Sequence, residues 1–258
     1  MTRIKRRHPE DGGYARGEET RARIITTALR VFGEAGFNEA STRQIAADAG
    51  VNPPALQYYF GGKEGLHRAC AQFIIDRMLS IVSPALTRAR EIKRPAQRAQ
   101  AVDALCALLD AMADGLVAAG SESWGRFIMR GKADGAGPAM GMLRQNIGQP
   151  IMQAVAQLIA VVTDREVADE ITRIKAAAIL GQVTTFHTNR ESTMEALKWP
   201  DFDAHRLQMI KTVIRGHTRA ILDAGPHRGA GAPRPRARAP ARARPGARLR
   251  PRSSGESS

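Results

Sequence analysis

Residues 41–66, STRQIAADAGVNPPALQYYFGGKEGL, predict two short helices joined by a tight turn. Ser41 or Thr42 suits the N-cap of the first helix, and Gly50 suits the position just past its end, where left-handed backbone favours glycine. Asn52 is a ready N-cap for the second helix. Two helices of about two turns each, linked in this way, place a recognition helix in the DNA major groove. The alternative is an ordinary helical hairpin in an all-α domain.

The residue types of the second helix favour DNA over the plain hairpin. Its first turn carries only small residues, so this end can approach base edges closely. These residues are Pro53, Pro54 and Ala55. Tyr58 and Tyr59 follow with hydroxyls that can reach phosphates. Lys63 then starts the next helix, where a cation and free backbone N–H groups both favour a phosphate.

Five stretches carry a resemblance to a known family. They are TRARIITTALRVF at 20–32, GF at 36–37, TRQIA at 42–46, AGV at 49–51, and YF followed by KEGL within 59–66. On these residues, the segment 19–66 resembles the DNA-binding domain of the TetR family of bacterial transcriptional regulators. PALQYYFGGKEGL is also similar to a subgroup that includes a regulator of cefoperazone and chloramphenicol sensitivity. One departure is Gln57, where many members carry Tyr.

The resemblance implies nine DNA-contacting residues. They are Thr42, Arg43, Pro53, Pro54, Ala55, Gln57, Tyr58, Tyr59 and Lys63. Arg43 would contact a phosphate or a guanine edge, and Gln57 would offer its amide to adenine or to the backbone. One helix pair contacts only a few bases. Two copies on a two-fold axis, about one helical turn or somewhat more apart, would therefore bind a palindromic operator.

The expected fold is all-α, with an N-terminal three-helix helix-turn-helix DNA-binding domain and a C-terminal helical ligand-binding and dimerisation domain. The predicted segments are a disordered basic arm at 1–18, the DNA-binding domain at 19–66, the helical domain at 67–225 and a disordered Pro/Arg/Ala-rich tail at 226–258. Hydrophobic periodicity predicts helices over 18–35, 63–90, 95–118, 122–132, 142–162, 165–188 (with Asp164 as cap) and 202–222.

In proteins of this resemblance, the last two long helices form a four-helix bundle with a second copy. The residues expected at such an interface are Ile171, Ile174, Ala178, Gly181, Leu207, Ile210, Ile214 and Ile221. Ala178 and Gly181 would allow close helix approach. Packing of these helices within a single chain is the alternative, which spacing alone does not separate from dimerisation.

The other helices would enclose a ligand pocket, as the resemblance implies. The candidate lining residues are Met112, Trp124, Phe127, Met129, Met152, Phe186 and His187. Methionine and aromatic side chains suit an adaptable apolar cavity, and they equally suit an ordinary core. Arg126 and Arg130 lie one turn apart and would meet an anionic ligand or face solvent. The resemblance further implies a repressor that a small molecule releases from DNA.

The positive charge is concentrated at one end of the chain. The net charge is +14, and residues 228–258 hold nine Arg and one Glu. The segment 19–65 has five basic and five acidic residues and is formally neutral. The tail therefore suggests a second function class, a nonspecific DNA-coating protein that binds phosphates through arginine. A merely solubilising tail is the third possibility, and Arg3 to Arg7 are a candidate minor-groove arm.

Other function classes find little support in the sequence. The six histidines are scattered without metal-ligand spacing, and the Gly pairs lack the strand context of a nucleotide fold. No enzymatic activity, cofactor or metal is expected. No stretch reaches the roughly 20 uninterrupted apolar residues of a membrane span, so a cytoplasmic protein is expected. Cys70 and Cys106 lie on apolar helix faces, as buried reduced thiols do, with a redox switch as the alternative.

Overall fold

The computed structural model describes residues 10–117, 121–135 and 137–223. The predicted all-α class is confirmed, because these ranges contain helices and turns but no β-strand. The helices are α1 (Glu10–Glu39), α2 (Thr42–Asp48), α3 (Pro53–Phe60), α4 (Lys63–Glu91), α5 (Arg98–Val117), α6 (Glu122–Ala133), α7 (Pro138–Leu143), α8 (Gln149–Thr163), α9 (Glu170–Thr188), α10 (Arg190–Leu197) and α11 (Ala204–Asp223). A short 3-10 turn (Pro95–Gln97) precedes α5, and a π turn (Arg144–Gly148) joins α7 to α8.

The first three helices form a small bundle around one apolar cluster. One face of α1 is buried at helical spacing, and Ile45 of α2 and Leu56 of α3 belong to the same apolar cluster. The buried α1 residues are Ile24, Ile25, Ala28, Leu29, Val31 and Phe32. Helix α1 supplies more buried residues here than α2 or α3, while α3 packs on α2 and α4.

Helix α1 is longer than expected at both ends. The predicted disorder of 1–18 is wrong for 10–18, which continue α1 although Gly12, Gly13 and Gly17 are poor helix formers. At the other end the chain passes Gly36 with φ 83° and resumes one more helical turn to Glu39. Asp134 lies directly beside Gly36, so a side chain there would collide with its carboxylate. The candidate arm 3–7 and the tail 226–258 lie outside the described residues.

Helix α4 runs from the helix-turn-helix unit into the rest of the body. Ten of its residues are buried, including Leu66, Ile74 and Leu86. By length and composition alone it is the one helix in the described ranges that could cross a membrane, with a mean hydropathy of 1.3 over 18 residues. Its apolar residues pack against α5, α7 and α8, which accounts for that composition.

The body differs from the expectation at several places, and one of them is α7, which begins before the predicted helix at 142. Helix α9 is capped by Asp169, whose side chain accepts from the Thr172 N–H at 3.0 Å. Asp164 is instead the left-handed C-cap of α8, with φ 51°. The helix predicted over 142–162 is interrupted by the π turn, just before Pro150, which lacks an N–H to continue the hydrogen-bond ladder. Helix α10, a short connector, was not predicted.

Helix α6 lies between α1 and α9 and touches both at glycines. On α1, a Cβ at Gly33 would lie 3.0 Å from the Arg126 Cβ and 3.1 Å from the Phe127 nitrogen. On α6 itself, a Cβ at Gly125 would lie 2.9 Å from His187 Nε2 of α9. The Phe37 N–H at the end of α1 also donates to the Asp134 carboxylate at 3.2 Å. One turn of α6 therefore connects the helix-turn-helix unit to α9.

An aromatic cluster fills the same junction. His67 of α4 is 2% exposed and its ring centroid lies 4.8–4.9 Å from those of Phe32, Phe37 and Phe127. Its Nδ1 has no hydrogen-bond partner among the described residues. Burial, and secondly the charge of Lys63, lower the pKa of His67 to about 4. The imidazole is thus neutral and behaves as part of the apolar core.

Candidate nucleic-acid interface

The turn between α2 and α3 forms through local hydrogen bonds that the sequence predicts. Ser41 caps α2 by accepting from the Gln44 N–H at 3.4 Å. Gly50 has φ 65°, and the N–H groups of Gly50 and Val51 return to carbonyls of the last α2 turn, the pattern of a Schellman motif. Asn52 caps α3 by accepting from the Ala55 N–H at 3.2 Å. These bonds fix the angle at which α3 leaves α2.

The first turn and one face of α3 are exposed. Leu56 is the one buried residue of this helix, which packs against α2 and α4. Of the nine residues predicted to contact DNA, the exposed ones are Arg43, Pro53, Pro54, Gln57 and Tyr58, and the half-buried ones are Thr42, Ala55, Tyr59 and Lys63. The structure therefore brings all nine to α2, α3 and the start of α4, with no member in the core.

The two tyrosines have different surroundings. Tyr58 is 83% exposed, which is unusual for an aromatic residue. The rings of Tyr58 and Tyr59 meet edge to face at 5.1 Å. The Tyr59 hydroxyl lies 3.8 Å from where a Cβ of Gly17 would stand, so Tyr59 lies beside the N-terminal part of α1. Tyr58 is thus the freer of the two to meet a ligand.

Lys63 ties the start of α4 to the end of α1. Its ammonium donates to the Asn38 carbonyl at 2.8 Å and lies 5.2 Å from the centroid of the Phe37 ring. Two residues later, Gly65 packs so closely on the last turn of α3 that a Cβ would overlap the Phe60 carbonyl oxygen. Gly65 therefore fixes the start of α4 against the end of α3. This role was not predicted from the sequence, although Gly65 lies inside the KEGL motif.

Most cations of the formally neutral 19–65 segment are occupied by the chain itself. Arg30 pairs with Asp48 at 2.6 Å and with Glu34 at 3.1 Å, which raises its pKa, chiefly through the Asp48 hydrogen bond. Arg23 Nε donates to the Ala49 carbonyl, and Arg21 lies over the Phe60 ring. Within the described part of the chain, Arg43 is the one cation of this segment that makes no ion pair, hydrogen bond or ring contact.

The predicted ligand-pocket residues do not line one cavity. Met129 and His187 line a cavity of about 370 Å³ between α6, α9 and α10. Met152 lines a separate groove of about 870 Å³ between α8 and α9. Met112 and Phe127 are buried in the core, at 5% and 1% exposure. Trp124 and Phe186 are partly buried and pack against that core, which agrees with the alternative that these side chains belong to an ordinary core.

Helix α9 presents an apolar stripe that no other described element covers. Its members recur every three or four residues on the outer face. They are Val167, in the preceding loop, with Ile171, Ile174 and Ala178, and Ile174 is 55% exposed. Gly181 continues the stripe at half burial. Four of the predicted interface residues thus share one surface.

Helix α11 requires a correction. Ile210 and Ile214 are each 3% exposed and pack inside the same chain, so they are not available to a second copy. Leu207 and Ile221 are half-buried and pack against the same core. The outward face instead carries a second apolar stripe, Met209, Val213, Gly216 and Ala220, with Met209 and Val213 about half exposed. This outward stripe has the same helical spacing in the sequence, but its residues are less hydrophobic than those of the inward stripe, so the sequence predicted only the inward one.

Ion pairs hold α11 to α5. Lys211 meets Asp114 at 2.5 Å, Arg215 pairs with Asp110, and Arg219 approaches Asp103 at 3.9 Å. Cys106 lies on α5 within this row, and burial raises the pKa of its thiol; burial likewise raises the pKa of Cys70. Both cysteines are free, in accord with buried reduced thiols. In the described ranges, no cluster of three or more His, Cys, Asp or Glu could hold a metal.

Two family models match separate parts of the chain. The model described as bacterial regulatory proteins, tetR family, matches residues 24–70, which span the helix-turn-helix unit and the start of α4. The model described as the C-terminal domain of the HTH-type transcriptional dual regulator CecR matches residues 101–225. The two matches follow each other in the order of the fold and cover most of the described residues.

Known proteins similar to the chain are transcriptional regulators. The chain is 29% identical over 209 residues to the HTH-type transcriptional dual regulator CecR of Shigella flexneri, covering 80% of this chain and 93% of that one. It is 40% identical over 65 residues to the regulatory protein RaaS of Mycobacterium tuberculosis, covering 25% and 30%.

A solved structure supports the fold. The structure described as AibR in complex with isovaleryl coenzyme A and operator DNA superposes with a TM-score of 0.56 at 18% identity. It covers 77% of this chain and 97% of that one.

Proposed function

Because the chain belongs to the TetR family of bacterial regulatory proteins and is a DNA-binding transcriptional regulator, we propose that it acts as a repressor. In this proposal it binds a palindromic operator as a homodimer, and a small molecule releases it. The observation that carries the proposal is the pairing of an exposed, capped α3 with the unoccupied cation Arg43 at its side. A surface of this kind has no role in the folding of the chain itself.

The contacts on DNA follow from exposure and chemistry. The first turn of α3 enters the major groove, where Pro54 and Ala55 meet base edges or thymine methyl groups. Gln57 offers an amide to adenine, and it is the residue that departs from the family pattern. Arg43 and Tyr58 bind phosphates or, for Arg43, a guanine edge. Since the local charge is neutral, affinity rests on these few placed groups.

Lys63 takes a more limited role than the sequence suggested. Its ammonium is engaged with Asn38, so a phosphate contact would be added to that bond or replace it. Tyr59 lies beside α1 at Gly17. We assign both residues chiefly to fixing α3 and α4, with phosphate contact through the exposed edge of each side chain.

Dimerisation would use the outward stripes of α9 and α11. Apolar side chains at about half exposure on two neighbouring helices are the composition of an interface core. The groove lined by Met152, Val167 and Ile174 continues this surface onto α8. Release by a small molecule would follow from a change in the separation of the two helix-turn-helix units. The AibR structure, which holds both operator DNA and isovaleryl coenzyme A, supports this pairing of sites.

A footprint of the purified protein on DNA flanking its own coding region tests the proposal. We expect a protected palindrome at about 0.15 M salt, and increased transcription from that promoter when the gene is deleted. The repressor proposal fails if no genomic fragment is selectively retained.

Two variants separate specific binding from nonspecific coating of DNA. Deleting 226–258 should leave the selective footprint in place. Gln57→Ala combined with Tyr58→Ala should abolish it while the fold is kept, because both side chains are exposed. A coating protein would show the opposite pattern, since its affinity would come from the arginine-rich tail.

A further inference from the structure

The cavity of about 370 Å³ between α6, α9 and α10 is built around two guanidinium groups. Arg126 comes from α6 and Arg190 from the start of α10, and both line the cavity. Each is paired across the cavity with an acid from the opposite helix: Arg126 with Glu191 at 3.6 Å, and Arg190 with Glu122 at 3.1 Å. These two crossed pairs link α6 to α10.

The cations are held more firmly than the acids. The Arg190 side chain is 18% exposed, and its guanidinium lies 4.4 Å from the centroid of the Phe202 ring. The Arg126 side chain is 42% exposed, whereas that of Glu191 is 88% exposed. An ion pair at 3.6 Å with so exposed an acid is weak. Glu191 can therefore turn into water and leave Arg126 to another anion.

The rest of the lining is suited to a small amphipathic molecule. Met129 and Met194 provide flexible apolar contacts, and Thr188, Asn189 and Ser192 provide hydroxyl and amide groups. A volume of about 370 Å³ lies within the range of small-molecule sites. Guanidinium groups bind carboxylates and phosphates through paired, charge-assisted hydrogen bonds.

We propose that this cavity binds a small organic anion, with its carboxylate or phosphate group between Arg126 and Arg190 and a short apolar body against Met129 and Met194. The anion replaces Glu191, and to a lesser extent Glu122, as the partner of the two arginines. The site lies apart from Met112, Phe127 and Met152, which do not line it. As the effector site, it rests on the proposed release of the repressor by a small molecule.

The position of Arg126 gives the site a path to the DNA-binding unit. Arg126 and Phe127 are the residues of α6 that touch Gly33 of α1, at 3.0 and 3.1 Å from its Cβ position. The neighbouring Gly125 touches His187, which also lines the cavity. Because these contacts leave no free space, an anion that draws Arg126 towards α10 also shifts α6 against α1.

Calorimetry on the full chain without DNA tests the site, with three probes that share one apolar body: 1-naphthoate, 1-naphthyl phosphate and the uncharged 1-naphthamide. We expect saturable binding of at least one anion and at least tenfold weaker binding of the amide. The better anion identifies the head group. Equal binding of the amide, or no binding of either anion, overturns the proposal.

Variants assign the binding to this cavity. Arg126→Gln should weaken the bound anion about tenfold, while Glu191→Gln should strengthen it, because the competing carboxylate is gone. Lys132→Gln, which removes an exposed cation from the same helix outside the cavity, should change nothing. Arg190→Gln, if it folds, should behave as Arg126→Gln. Unchanged affinity in both Arg126→Gln and Glu191→Gln would place the anion elsewhere and overturn the proposal.

A parallel measurement of operator affinity keeps the two proposals apart. If the variants change anion affinity as expected but the anion does not change operator affinity, the site is supported and release of DNA through this site is refuted. Intact operator binding with no anion bound refutes the site and leaves the repressor function standing.

Discussion

Arg43 carries more of the proposed DNA affinity than its place in a neutral segment suggests. The other cations of that segment are committed to Asp48, Ala49, Asn38 and the Phe60 ring, so they contribute little new attraction to a phosphate. Arg43 alone can form a new charge-assisted bond without breaking one within the described part of the chain. On binding, its side chain gives up water contacts and rotamer freedom, but no ion pair within the described part of the chain.

We expect Arg43→Ala to lower operator affinity about tenfold or more, without loss of stability. A phosphate contact would also reduce the slope of log affinity against log salt by about 1, while a guanine contact would relax specificity at one base. Fluorescence anisotropy across a salt series measures both effects. Arg88→Ala, which removes an exposed cation near the far end of α4, is the matched control. Equal effects of the two substitutions would contradict the assignment.

His67 should make the stability of the protein depend on pH. Burial lowers its pKa to about 4 in the folded chain, against an ordinary value near 6.5 in the unfolded one. Between these values the unfolded chain binds a proton that the folded chain does not. The free energy of unfolding therefore falls as the pH falls through this window, by about 3 kcal/mol in full.

Chemical denaturation at several pH values checks this expectation. His67→Leu should flatten the pH dependence between 6.5 and 4, since it removes the titrating group from among three Phe rings. His205→Gln, at an exposed histidine, should leave the slope unchanged. A steep slope that survives in His67→Leu would show that another group titrates.

Residues whose role is decided by local bonds were predictable from sequence. Ser41, Gly50 and Asn52 take the predicted cap and turn positions because each bonds only to its own turn. Lys63 was predictable as a helix start, but its bond to Asn38 was not, because that contact joins positions 25 residues apart. Exposure separates Tyr58 from Tyr59, and the sequence gives no sign of that difference.

Among the elements, α6 is the one whose role depends most on close packing. It touches α1 at Gly33 and α9 at Gly125, on a single turn. Neither glycine has a positive φ, so both are required by space and not by backbone conformation. The tightness of these contacts makes α6 a stiff spacer between the helix-turn-helix unit and the rest of the body.

We expect Gly33→Ala to destabilise the protein by about 1 to 3 kcal/mol, even though alanine is the better helix former. The added methyl group meets the backbone of Phe127, which cannot move without shifting α6. Gly141→Ala in α7 is the control, because no atom lies within 4 Å of its Cβ position. It should be neutral or stabilise by up to about 1 kcal/mol. Thermal unfolding of both variants measures the difference. If Gly33→Ala were as stable as Gly141→Ala, α1 and α6 would be loosely packed.

Helix positions were predicted well where one apolar stripe dominates, as in α1 and α4. The start of a helix was predicted wrongly where two residues could each serve as its N-cap. Asp164 and Asp169 are both plausible N-caps, and only the left-handed turn at Asp164 shows that the chain continues for five residues before α9 begins. The short α10 has no buried residue, so hydrophobic periodicity gives no signal for it.

At the scale of the whole molecule, sequence indicates the order of helices but not which of their faces meet. The row of ion pairs between α5 and α11 joins positions about 100 residues apart, with charges that periodicity alone would assign to solvent. The same limit explains the predicted pocket. Its residues have the right chemistry for a ligand, but three-dimensional packing assigns them to the core, to a groove and to one cavity.

The outward stripes of α9 and α11 are the last test of the proposed assembly. Ile174 is 55% exposed at the centre of its stripe, and no described element of the same chain covers it. We expect Ile174→Asp to leave a folded monomer, because a charge in an apolar dimer interface is desolvated without a partner. Sedimentation velocity measures the oligomeric state, and circular dichroism confirms that the helices remain.

A matched control is Leu197→Asp, which places the same charge on an exposed leucine of α10, outside both stripes. This variant should remain a dimer. Monomeric Ile174→Asp should also lose most of its affinity for a palindromic operator while retaining contact with a half-site, because each copy contributes one α3. If Ile174→Asp sediments as a dimer and binds the palindrome normally, then α9 is not part of the interface and a second copy must attach through another surface.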